Sequence, residues 1–209
     1  DEALRLLRRS LQIREDVFGA EHPQTALILN NLAVVHASLA QHDLALPLLL
    51  RSLQIREKAF GREHPETAQA LGNLGETYAD LGQHVLALTL KRQAMQIRER
   101  ILGSGHPDTA LSLSNLAQSH VELGQYDEAL RLQHRALQIY EKMLGPNHPD
   151  VAYLSFNMAD ALRRSGHGEL AVSHLKVSVN IFQSIRERAS HIGTGELRTF
   201  TASVAGAYQ

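Results

Sequence analysis

The sequence predicts an all-α fold, a right-handed superhelical solenoid of antiparallel helix pairs, on two observations. The first is a repeat. His-Pro recurs at 22–23, 64–65, 106–107 and 148–149, a constant step of 42 residues, each time a few residues after Gly19, Gly61, Gly103 or Gly145. Self-similarity at a fixed period marks a stacked array, in which each unit covers its neighbour's apolar face. The second is composition: Ala, Leu, Gln, Glu and Arg dominate and strand-like alternation is missing, so the repeating unit is helical. This excludes a propeller of similar period.

Residues 1–18 read as the second helix of an incomplete repeat, because Ser10-Leu11-Gln12-Ile13-Arg14-Glu15 returns as Ser52-Leu53-Gln54-Ile55-Arg56-Glu57. Leu4, Leu7, Leu11 and Phe18 make its apolar stripe, and the chain is read as a piece of something longer. Full repeats then occupy 19–60, 61–102, 103–144 and 145–188. Each opens its first helix at His-Pro, where proline at the first helical position sacrifices no hydrogen bond. Glu66, Asp108 and Asp150 add negative charge in the first turn, where the helix dipole favours it. These first helices run to about Leu39, Leu81, Leu123 and Arg163. Gly82, Gly124 and Gly166 stop three of them, and Ala40 takes that place in the other. The second helices are expected over 43–60, 85–102, 127–144 and 169–188. Beyond 188 the register fails: Ser190 to Gly195 reads as a loop, and Glu196 to Tyr208 as a short capping or connector helix with Leu197, Phe200, Val204 and Tyr208 on one face.

Small residues recur where the paired helices must approach: Gly75, Ala117 and Ala159 in the first helix, and Ala45, Ala87, Ala129 and Ala171 in the second. With Asn115-Leu116-Ala117, Gly124-Gln125-Tyr126-Asp127-Glu128-Ala129-Leu130 and Ala136, this pattern resembles the tetratricopeptide repeat (TPR). The longer second helix and the G-x-x-H-P connector are similar to the kinesin-light-chain-like subtype of 42 residues. Leu49, Lys91, Gln133 and Leu175 depart from it, standing where the usual TPR has an aromatic. The segment from Leu197 to Tyr208 also resembles the connector preceding caspase-like CHAT protease domains in bacterial TPR–CHAT proteins.

The resemblance implies a protein-interaction scaffold that binds an extended peptide or protein segment along the concave face. Asn31, Asn73, Asn115 and Asn157 fall on that face, where an amide can pair with a peptide backbone. An inter-helix hydrogen bond explains the same residues equally well. Their groove neighbours by the same carry-over are Leu27, Asn30, Val34 and Ser38; Gln69, Gly72, Glu76 and Asp80; Leu111, Ser114, Gln118 and Glu122; then Tyr153, Phe156, Asp160, Arg163 and Arg164. The groove so drawn is apolar, then acidic, then aromatic and basic, with Arg163 and Arg164 offered to a carboxylate or phosphate. Phe156 borders the core stripe, so packing against the next helix stays open for it. Leu27, Gln69 and Leu111 replace the lysines of chaperone-tail clamps, which argues against a carboxylate clamp.

Two alternatives stand beside this reading: the regulatory arm of a larger enzyme such as a CHAT-type protease, and a structural or oligomerising spacer that associates through exposed array ends. Neither catalytic nor metal-binding residues are expected in the chain itself, and no cofactor. The sequence has 12 His and no Cys, which removes thiolate chemistry and fits a reducing, cytoplasmic setting. His22, His64, His106 and His148 lie at equivalent helix starts, on the order of 16–20 Å apart at 8–10 Å per helix. They cannot share a zinc ion that needs ligands at about 2 Å. A formal net charge of −1 shows no nucleic-acid footprint, and no apolar run is long enough for a membrane span.

Overall fold

The computed structural model describes residues 2–191; the predicted capping or connector helix and the CHAT-like stretch lie outside them. Among the described residues every regular element is an α-helix: α1 (Glu2–Phe18), α2 (Pro23–Ser38), α3 (His42–Phe60), α4 (Pro65–Asp80), α5 (His84–Leu102), α6 (Pro107–Glu122), α7 (Tyr126–Leu144), α8 (Pro149–Arg164) and α9 (Gly168–His191). The last runs three residues past its expected end, so Ser190 and His191 are helical where the sequence reads as loop.

The described residues divide into two compact units, the first ending at Ala136 and the second beginning at Leu137. In the first, successive helices pack on one another from α1 to α6; in the second, α8 packs on α9. The core is a seam of small clusters, as expected for an array whose units bury their faces only against neighbours. Ala26, Leu29 and Ile55 form one cluster, to which Leu11 of α1 adds itself. Ala33, Ala45, Leu49 and Leu74 form the next, and Ala68, Leu71, Ala94 and Ile97 another. Alanines are fully buried at 45, 87 and 129, the close-approach positions of the second helices.

Local chemistry sets each first helix. The imidazole Nδ1 of His22, His64, His106 and His148 accepts the backbone N–H two residues on, at 3.1–3.2 Å, so histidine is the N-cap and proline follows it. Thr25, Thr67 and Thr109, all buried, donate their hydroxyls to the carbonyls of Gly19, Gly61 and Gly103 at 2.7–2.9 Å, which closes each connector. The turn inside each pair needs a left-handed residue: Gly82, Gly124 and Gly166 supply it at φ 71–86°, and Ala40 is forced there at φ 55°.

Candidate functional site

The predicted groove residues lie on the first helices, and the two units carry separate sets. In the first unit the surface of α2, α4 and α6 exposes Leu27, Asn31, Val34 and Ser38, then Gln69, Glu76 and Asp80, then Leu111, Gln118 and Glu122. Leu27, Val34 and Leu111 keep 40%, 40% and 46% of their surface, an exposure that leaves them able to bury against a partner. Asn73 and Asn115 are half-buried, while Asn30 and Ser114 are buried.

One of these amides is already engaged. Asn73 Nδ2 donates to Asn30 Oδ1 at 2.8 Å, tying α4 to α2. That bond has no counterpart for Asn115, because the residue 42 positions after Asn30 is Gly72 and has no amide to offer. The carboxylates are engaged as well. Lys91, almost fully buried in α5, threads past Gly75 and brings its ammonium 3.0 Å from Glu76. His42 Nδ1 lies 3.8 Å from Asp80, and Gln118 Nε2 donates to Glu122 at 2.8 Å. Through Lys91 the middle of this surface is less acidic than its first-helix residues alone imply.

In the second unit α8 exposes Tyr153 and Phe156, each 53% accessible, with Asn157 half-buried between turns. Asp160 accepts from Arg163 at 2.7 Å and lies 3.9 Å from Arg164, so the basic end of the predicted groove carries its own counter-charge. Phe156, Ala159, Asp160 and Arg163 line a cleft of about 190 Å³, closed from α9 by Ala171 and Leu175.

Sequence reasoning passed over the arginine of the repeated Gln-Ile-Arg-Glu. Arg56 is 1% exposed and donates to the Glu66 carbonyl at 2.7 Å and to Gln69 Oε1 at 2.9 Å, with the Glu66 carboxylate 3.3 Å away. Arg14 reaches Gln24 at 2.8 Å and Arg98 reaches Ser112 at 2.7 Å in the same way. Burial lowers the pKa of Arg56 and Arg98, with Glu66 and Asp108 opposing the shift. The signal was the recurrence of Arg at 14, 56 and 98 beside an apolar stripe that has no need of charge, with Tyr140 in its place in the next copy. His36 and His120 are buried and bond to Gln41 and Gln125 at 2.7 and 2.6 Å, joining each first helix to the start of its partner. Among the described residues no three His, Asp or Glu come together to hold a metal ion. No described helix is long and apolar enough to cross a membrane.

The solved structures place this geometry. The nearly identical TPR-like repeats of a kinesin light chain-like protein from Podosopora anserina superpose with a TM-score of 0.72 at 27% identity, covering 88% of this chain and 87% of that one. BtubC (BKLC) from P. vanneervenii gives a TM-score of 0.76 at 19% identity over 88% of this chain and 74% of that one. MamA gives 0.59 at 13% identity over 87% and 89%; these last two show the fold alone. No curated protein matches the chain in sequence. The tetratricopeptide repeat profile matches residues 1–58, 25–100, 66–142 and 108–184, which together span most of the chain. The chain belongs to the tetratricopeptide repeat family.

Proposed function

We propose that the first-helix surfaces bind extended protein segments, and that the chain recognises rather than catalyses. A TPR array is in general a protein-interaction scaffold. The observation that carries the finer reading is the exposure of large apolar side chains among polar groups at the groove positions: Leu27, Val34 and Leu111 in the first unit, Tyr153 and Phe156 in the second. Exposed aromatics that become desolvated on binding tend to dominate interface energy. Asn31, Asn115 and Asn157 supply amides for a peptide backbone, while Asn73 serves repeat geometry through Asn30. Glu76, Asp80 and Glu122 favour a segment with some basic character, moderated by Lys91. In the second unit the Phe156–Leu175 cleft suits an apolar side chain, and Arg163 can exchange Asp160 for an acidic group of the partner.

The test is a peptide-array screen with the purified chain, followed by Asn115→Ala, Tyr153→Ala and Arg163→Glu, each checked for native helicity. Loss of binding in at least one is expected. Binding untouched by all three in folded protein would move the site to the second helices or the inter-repeat loops. Turnover of a generic peptide substrate would sink the claim that the chain does not catalyse.

A further inference from the structure

The inter-repeat latch between α3 and α5 is missing, and a cleft stands in its place. In α3, Arg51 donates to Glu15 of α1 at 2.7 Å and to the Ala20 carbonyl at 2.9 Å. In α7, Arg135 pairs with Glu99 of α5. The residue of α5 that lies 42 positions from each is Gln93, and the carboxylate due to it is Glu57 of α3. There the surface opens into a cleft of about 350 Å³ lined by Glu57, Leu71, Gln93, Gln96 and Ile97. Leu71 is 6% exposed, where its counterparts 42 residues away, Leu29 and Leu113, are at 0%. Arg62 also borders the cleft, but its Nε lies 3.8 Å from Glu57 and its side chain is 85% exposed, so it is held in water and not seated. Arg100 and Glu63 complete the lining, and they neutralise one another as an ion pair.

We propose that this cleft binds the guanidinium of an arginine presented by a partner protein, which takes the place that the flanking repeats fill from their own chain. The site has what a guanidinium uses: the Glu57 carboxylate, two glutamine amides, and an apolar surface from Leu71 and Ile97 for the stem and the planar face. Lysine, a compact and strongly hydrated point charge, matches these groups poorly. The site is built from α3 and α5 with the buried Leu71 of α4, and it uses none of the exposed groove residues of the first helices, so either can fail without the other.

The experiment titrates N-acetyl-arginine amide into the isotopically labelled 209-residue chain and follows amide shifts, with the lysine and citrulline analogues alongside. Saturable shifts at Gln93, Gln96, Leu71 and Ile97 are expected for arginine, weaker ones for lysine and none for citrulline. Gln93→Arg refills the latch from within and should abolish the shifts while raising the melting temperature. Glu57→Gln should weaken binding by about tenfold or more, the loss of one charge-assisted hydrogen bond. Arg62→Ala should leave binding unchanged or tighter. Equal shifts with citrulline, shifts that survive Gln93→Arg, or no saturable shift with arginine would each overturn the proposal.

Discussion

Of two glycines three residues apart in α4, only one should gain stability on substitution by alanine. Gly72 and Gly75 both sit in the helix interior, where Gly→Ala gains about 0.8–1 kcal/mol in helix propensity. A Cβ at Gly72 would meet nothing within 4 Å, so Gly72→Ala should keep that gain. A Cβ at Gly75 would lie 2.8 Å from Lys91 Cγ and 3.3 Å from the Ala87 carbonyl oxygen. To make room, Lys91 must swing away from Glu76, or α5 must move back from α4. Overpacking of this kind costs about 1–3 kcal/mol, so Gly75→Ala should end between neutral and about 2 kcal/mol less stable. The two variants should thus differ by about 1–3 kcal/mol, which is several degrees in melting temperature for a protein of this size. Urea melts followed by circular dichroism and by a second probe would measure it, with coincident transitions required before a free energy is read. If both alanines stabilise equally, α4 and α5 do not touch at Gly75 as described.

Three further outcomes follow from the contacts. Arg56→Met keeps the buried stem but removes the bonds to Glu66 and Gln69, and should cost about 1–3 kcal/mol, more than Arg14→Met, whose arginine makes one bond near the surface; equal losses in urea melts would contradict this. His106→Ala removes an N-cap and should cost about 0.5–2 kcal/mol, more than Pro107→Ala, which removes no hydrogen bond; the reverse ranking in melts would show that the imidazole does not cap. The hydrogen bond from Arg131 holds the Glu128 carboxyl below the usual carboxylate range. Its stabilisation is therefore present above the unfolded value of about 4.3 and is lost as the pH falls through the lower folded value. Arg131→Gln should melt slightly below the parent at neutral pH, less so in high salt because both groups are exposed, and match it in strong acid; a gap that persists in acid would refute the assignment.

The sequence by itself determined the repeat, the helix pairs and the family, because each rests on local and periodic signals. Histidine-proline starts, left-handed glycines and alanines at the close approaches act within a few residues, and a recurring period carries them through the chain. The carry-over also named which first-helix residues to examine. What it left open was which of their polar groups are already used. Asn73 bonds to Asn30, and Glu76 is met by a lysine that approaches from α5 behind Gly75. Asp160 takes Arg163, and Phe156 stands half exposed where burial was equally open. The buried Arg56 and the cleft at Gln93 escaped notice for the same reason: a charged side chain on a helix reads as a solvated face until the neighbouring repeat is seen to cover it or to leave it uncovered. Apart from the Asp160–Arg163 pair, which is one turn of a single helix, those outcomes depend on residues about 10–40 apart in sequence that helix packing brings within range, and no local pattern encodes which partner an arginine or lysine will reach. The tertiary structure alone decides them.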